Sequence, residues 1–190
     1  GNNSNEITID ARPALELSYT AAPVDLSGIS AQYAEDVRYG EAERNVFDIY
    51  LPDCDAPTPL VIYIHGGGFT GGDKSGASSN ANTIRELLQD CVAYATINYT
   101  LLKVPSAAEG VSSIVAQGGV LTSLEDTARA LQFMRYHYAS LNIDSENVAL
   151  YGVSAGAGAS LWLGTHSEMA DPDNEDPVLR ESTRVKAVGA

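Results

Sequence analysis

The sequence predicts an α/β domain with a mostly parallel central sheet and helices on both faces, and three observations carry that reading. Short apolar runs at Leu60 to Ile64, Val92 to Ile97 and Asn147 to Tyr151 are bounded by glycine, proline or polar residues, as strands buried on both faces are. Segments with helical spacing separate them: Asn82 to Gln89 through Ile84, Leu87 and Leu88, then a helix opening at Ser123-Leu124-Glu125-Asp126 and continuing through Ala128, Leu131, Met134 and Tyr138. A strand, a helix and a second strand in one sheet require a crossover, and such crossovers are right-handed.

Taken in order, residues 1 to 30 are rich in Asn, Ser, Ala and Pro and read as a tail and a loosely packed lead-in, with residues 31 to 190 forming the domain proper. Tyr33 to Tyr39 and Asn45 to Leu51 alternate apolar and polar residues around Gly40-Glu41-Ala42-Glu43, which predicts a hairpin with one wet face. Val104 to Val120 shows no sustained period and reads either as a lid over a pocket or as a disordered insertion. Asp171, Asp173 and Glu175 alternate like calcium ligands, but Asp176 stands where such a loop needs glycine, so a solvated acidic turn is expected. Val185 to Val188 reads as a further strand.

The 190 residues, 44% of them hydrophobic and without an internal repeat, suffice for one domain with a sizeable core. A formal charge of −14, from 25 acidic and 11 basic side chains, opposes binding to nucleic acid or to an anionic membrane. No stretch has the length of a membrane span, and Gly1 to Glu6 has neither the basic nor the apolar part of a signal peptide. Two cysteines, Cys54 and Cys91, are too few and too far apart for a typical metal site, which leaves two free thiols or one disulfide.

Chemistry concentrates in Gly152-Val153-Ser154-Ala155-Gly156, between the Asn147 to Tyr151 run and the small-residue stretch Ala157 to Ser160. G-x-S-x-G at a strand-to-helix junction is the nucleophile-elbow pattern, in which a tight turn lifts a serine hydroxyl out of the sheet. Ser154 is the candidate nucleophile, and the Ala155 N–H is a candidate oxyanion donor at the start of a helix. His65-Gly66-Gly67-Gly68 follows the first central strand, where a second set of donors must come from; Gly67 and Gly68 are the candidates. A phosphate cradle is disfavoured because the Lys-Ser/Thr pair does not follow at the required spacing.

With Phe69 after the glycines, Asn98-Tyr99-Thr100-Leu101 and Glu125-Asp126, these motifs resemble the carboxylesterases of the α/β-hydrolase superfamily, of the hormone-sensitive-lipase and type-B kinds, over residues 33 to 190. The resemblance implies an eight-stranded fold, of which residues 31 to 190 are the N-terminal portion, with the second strand antiparallel and beside the fourth. That neighbourhood would let Cys54 and Cys91 pair. It also implies a serine carboxylic-ester hydrolase acting through an acyl-enzyme on small or short-acyl esters, with no metal or organic cofactor. The alternatives are an amidase or peptidase on the same fold, or a non-catalytic hydrolase-like binding module.

In such enzymes the acid and the histidine follow the serine at a distance, yet only residues 155 to 190 follow Ser154. The three histidines are expected elsewhere: His65 bracing the glycine loop, His137 on a helix and His166 as a helix-terminal cation. The expected partners are therefore a small-molecule ester and a C-terminal remainder of the same hydrolase, from the same gene product or a separate chain. Tyr99 and Phe69 are expected either in the core or along the acyl pocket. The acidic surface and a cysteine pair suggest a secreted or periplasmic protein.

Overall fold

In the computed structural model, which describes residues 12–104 and 118–190, the strands are β1 (Ala31–Arg38), β2 (Val46–Pro52), β3 (Thr58–Ile64), β4 (Ala93–Ile97), β5 (Ile143–Gly152) and β6 (Ala187–Gly189). They form one sheet in the order β1-β2-β4-β3-β5-β6. The β4, β3, β5 and β6 pairings are parallel, whereas β2 runs antiparallel beside β4, with Phe47 opposite Ile97 and Tyr50 opposite Tyr94. An antiparallel second strand beside the fourth is the placement that the resemblance implied.

Among the described residues three α-helices dress it: α1 (Ala81–Gln89), α2 (Leu121–Tyr136) and α3 (Ala155–Thr165). Strand periodicity divides the core between the faces. Phe47, Ile62, Ile64 and Ile97 point toward α2 and α3, where Leu131, Met134, Ala159 and Leu163 meet them. Tyr50, Tyr63 and Tyr94 point the other way, against Ile84 and Leu88 of α1.

The structure corrects several expectations. β2 has no wet face, because every one of its residues is buried between β1 and β4. Its polar residue Asp48 is only 4% exposed and lies 2.7 Å from the Lys74 ammonium, which also reaches Asp36 at 3.0 Å. Burial works against the Lys74 charge, but the two carboxylates outweigh it and hold its pKa above the ordinary value. Alternation along β2 thus reports a buried ion cluster instead of solvent.

The Gly/Ser-rich stretch after the glycine motif is a short 3-10 helix, Lys74–Asn80, capped by the Asp73 carboxylate accepting from the Ser75 N–H at 2.9 Å. α2 begins at Leu121, two residues before the expected Ser123, and ends at Tyr136. The lead-in is more firmly seated than its composition suggests: Leu15 and Leu17 pack against the core, Val24 is buried, and Tyr19 bridges Ala34. Most of the Val104 to Val120 segment, residues 105–117, lies outside the described residues. In the acidic turn Asp171, Asp173 and Glu175 are exposed, as a solvated turn requires. Asp171 accepts from Asn174, and Asp176 pairs with Arg129 at 2.7 Å.

Cys54 and Cys91 form a disulfide with Cα atoms 6.2 Å apart, joining the end of β2 to the start of β4. For a sequence separation of 37, the chain-entropy relation gives about 4 kcal/mol of stabilisation. Urea unfolding with and without reductant checks this: reduction should lower the midpoint by an amount equivalent to a few kcal/mol, and coincident curves would show that the bridge contributes nothing.

Candidate active site

At the end of β5 the chain turns so tightly that Ser154 adopts φ 57° and ψ −117°, a conformation that L side chains rarely hold, before α3 begins at Ala155. Such backbone costs about 1–3 kcal/mol and persists only where the surroundings impose it. They do so here by close backbone approach. A Cβ on Gly152 would lie 2.4 Å from the Gly156 carbonyl carbon, and one on Gly156 would lie 2.0 Å from the Ile64 oxygen at the end of β3. Both flanking glycines are therefore dictated by packing of the turn on itself and on the neighbouring strand.

The result is an exposed serine on a buried turn, beside Val153 at 58% exposure. The Gly156 N–H bonds Val153 O at 3.0 Å and the Gly158 N–H bonds Ser154 O at 3.0 Å, which closes the first turn of α3. Ala155 opens that helix, so its N–H has no intrahelical acceptor.

The glycine loop leaves β3 against this elbow. A Cβ on Gly66 would stand 2.7 Å from the Val153 oxygen and 3.3 Å from the Ser154 Cβ, so the two motifs, far apart in sequence, are in contact. Gly67, Gly68 and Phe69 follow with φ of 116°, 60° and 60°. The Gly67 carbonyl accepts from the Thr70 and Gly71 N–H groups at 3.1 and 3.0 Å, which turns that oxygen into the loop. Gly67 and Gly68 themselves are exposed.

His65 is 3% exposed, stacked on Tyr99 with ring centroids 4.4 Å apart. Its Nδ1 is 2.7 Å from Gly66 O and its Nε2 is 3.4 Å from Arg44 Nη2. A carbonyl only accepts and a guanidinium only donates, so Nδ1 carries the proton and Nε2 is the acceptor. Burial, with the Arg44 charge, pushes its pKa down, against the hydrogen bond to Gly66, and the ring is neutral. His65 is thus a brace for the loop, as the sequence reading expects.

His137 caps the C-terminal end of α2, with ring centroids 4.5 Å from Phe133 and 4.9 Å from Tyr136; burial draws its pKa down. His166 ends α3, its Nδ1 2.9 Å from Ser167 O. Eleven helical residues separate it from the elbow, about 16 Å. Among the described residues no histidine is hydrogen-bonded to Ser154.

Tyr99 is fully buried and belongs to the core, its hydroxyl donating to His65 O at 2.8 Å. Phe69 is half-buried against that core, and its carbonyl accepts from the Leu102 N–H at 2.8 Å. Asp126, on α2, accepts from the Thr100 N–H at 2.8 Å, while the Ser123 hydroxyl donates to Thr100 O at 2.6 Å. Of the Glu125-Asp126 pair, Asp126 thus fastens the segment after β4, together with Ser123.

Sequence reasoning missed a polar network beneath the loop. Asn98 donates to the Asp73 carboxylate at 2.8 Å and accepts from the Lys74 N–H at 2.7 Å; burial pushes the Asp73 pKa up, but the hydrogen bonds from Ser75 and Asn98 and the Lys74 charge hold it at about 2. Arg44 completes the network from the β1–β2 turn. The one available signal was Asn98, a buried polar residue directly after β4.

An exposed serine on a strand-to-helix elbow, touching a glycine loop from the adjacent parallel strand in a sheet whose β2 is antiparallel, defines an α/β-hydrolase domain. More narrowly, the chain belongs to the BD-FAE family, whose model matches residues 47–189. It is similar to a probable isoprenylcysteine alpha-carbonyl methylesterase of Arabidopsis thaliana, 24% identical over 152 residues, which are 78% of this chain and 28% of that protein. A kynurenine formamidase of Danio rerio is 54% identical over 44 residues, 22% of this chain and 15% of the relative. An acetyl ester-xyloside bifunctional hydrolase from Caldicellulosiruptor lactoaceticus shares the fold, with TM-score 0.62 and 22% identity over 80% of this chain and 54% of that one. The chain spans about a quarter of the length of the Arabidopsis relative and about half that of the solved structure.

Proposed function

We propose that this chain supplies the nucleophile and the oxyanion hole of a serine carboxylic-ester hydrolase that acts through an acyl-enzyme on small or short-acyl esters. The observation that carries the reading is the contact of Gly66 with the Val153 carbonyl and the Ser154 Cβ, which brings the serine and the glycine loop into one site. The names of the relatives, which include methylesterases and lipases, support it.

Ser154 Oγ attacks the ester carbonyl carbon as a base removes its proton. The oxyanion accepts hydrogen bonds from the N–H groups of Ala155, Gly67 and Gly68, and the base returns the proton to the departing alcohol. Water then attacks the acyl-enzyme by the same route and releases the acid and free Ser154. The base and its carboxylate come from a C-terminal remainder of the hydrolase, in keeping with the fraction of its relatives that the chain covers. The Cys54–Cys91 disulfide supports a secreted or periplasmic protein.

The test is to treat the complete gene product with a fluorophosphonate and map the adduct. Labelling of Ser154 with turnover of p-nitrophenyl acetate is the expected result; no adduct would leave a hydrolase-like binding module. The similarity to a formamidase keeps a second reading open. Turnover of anilides but not esters would select the amidase.

A further inference from the structure

We infer that Arg44 is a positioning residue for the oxyanion loop, a clamp that holds both ends of the segment carrying Gly67 and Gly68. The inference rests on the serine-hydrolase reading above. Arg44 lies on the turn between β1 and β2, more than twenty residues before the loop and more than one hundred before Ser154. Its side chain, 28% exposed, reaches beneath the glycine motif.

A single nitrogen, Nη2, donates to Gly72 O at 2.9 Å and to Asn98 Oδ1 at 3.1 Å and faces His65 Nε2 at 3.4 Å. Nε donates to Tyr99 O at 3.0 Å, and Nη1 stands 3.8 Å from the Asp73 carboxylate. Residues 65 and 72 are the two ends of the loop, so one rigid group sets the span between them. Within that span Gly67, Gly68 and Phe69 hold positive φ and the donors are exposed; the Thr70 and Gly71 N–H bonds to Gly67 O close the turn on itself, and Arg44 fixes where its two ends stand. The space is also tight: a Cβ on Gly72 would stand 2.2 Å from Gly66 O and 2.5 Å from His65 Nδ1.

The clamp uses properties of guanidinium that an ammonium lacks. Its planar fork makes several hydrogen bonds in fixed directions at once, whereas lysine offers a single point charge. The neutral His65 is part of the device: Nε2 can accept from Arg44 only while it carries no proton. Stacking on Tyr99, whose carbonyl Arg44 also holds, keeps the imidazole plane aimed at the guanidinium. Arg44 itself does not touch the reacting atoms. It acts by holding backbone N–H groups where the oxyanion develops, and a displacement of about 1 Å in such groups can cost about 100-fold in rate.

The test uses the complete gene product with p-nitrophenyl acetate. Arg44→Ala and Arg44→Lys should lower kcat by about 10- to 100-fold, leave KM within about twofold as for loss of an interaction made only in the transition state, and slow fluorophosphonate labelling in parallel. Added guanidinium ion should restore part of kcat in Arg44→Ala and none in Arg44→Lys, whose ammonium fills the site. Arg38→Ala is the control for a general disturbance of the same turn, since Arg38 bonds Gly40 O and Ala42 O and does not reach the loop; its kcat should match the parent. Thermal unfolding of each variant is recorded, and if Arg44→Ala does not fold, Arg44→Lys carries the comparison. Folded Arg44→Lys with unchanged kcat, or an Arg38→Ala loss equal to that of the Arg44 variants, would overturn the clamp. Absence of labelling in the parent protein would instead overturn the serine reading.

Discussion

Ser154→Ala in the complete gene product is expected to lower kcat for p-nitrophenyl acetate by about 10⁴- to 10⁶-fold, the range for removal of a serine nucleophile from a catalytic triad. Stability should change by no more than about 0.5 kcal/mol, as for surface substitutions. The asymmetry follows from the geometry: the side chain is exposed and has no hydrogen-bond partner among the described residues, while the strained backbone is retained by alanine. Steady-state turnover and thermal unfolding on the same preparation separate the two effects. Turnover within tenfold of the parent would mean that Ser154 is not the nucleophile.

The second large effect is structural. Gly156→Ala places a Cβ 2.0 Å from Ile64 O, 2.6 Å from Ile64 C and 2.7 Å from His65 O. These are backbone atoms at the end of a central strand, so neither a rotamer change nor a flexible side chain relieves the clash. The elbow and the glycine loop must separate, and a loss of about 3 kcal/mol or more is expected, at the upper end for overpacking. Gly158→Ala, two residues further along α3, is the internal comparison. Nothing lies within 4 Å of its Cβ, so the substitution should stabilise by up to about 1 kcal/mol through helix propensity. Chemical denaturation of the two variants measures both, and equal stabilities would show that the elbow is not packed against β3.

The close approach at Gly156 explains why the elbow was legible in sequence. Turn geometry and backbone contact leave their mark on residue type: only glycine fits where two chains nearly touch, and it recurs two residues on either side of Ser154. The buried strands were legible for a similar reason. Leu60 to Ile64 and Val92 to Ile97 carry apolar side chains to both faces, as a strand covered by helices on both sides requires. β2 misled because alternation is compatible with a wet face or with a buried ion cluster, and only the position of Lys74, in the 3-10 helix beyond the glycine loop, distinguishes them.

Of the polar network beneath the site, only Asn98, a polar residue just after a buried strand, left any mark in the sequence. Arg44 follows the Gly40 to Glu43 turn with nothing beside it to mark a role, and its partners, Tyr99 and Asn98, are 55 and 54 positions away. The disulfide sits between these extremes: the resemblance to a known sheet topology implied it, since the antiparallel β2 returns Cys54 to the start of β4.

By itself the sequence determined the local geometry of this protein: a serine on a turn between strand and helix, a glycine loop after a central strand, and the α/β order of elements. Hydrogen bonding, glycine packing and side-chain periodicity over a few residues suffice for that. The tertiary structure alone decided which distant groups meet: the contact of Gly66 with the elbow, the Arg44 clamp, and the burial of Asp48 against Lys74. A charge or a donor carries no local record of its partner, which packing supplies only when remote elements come together.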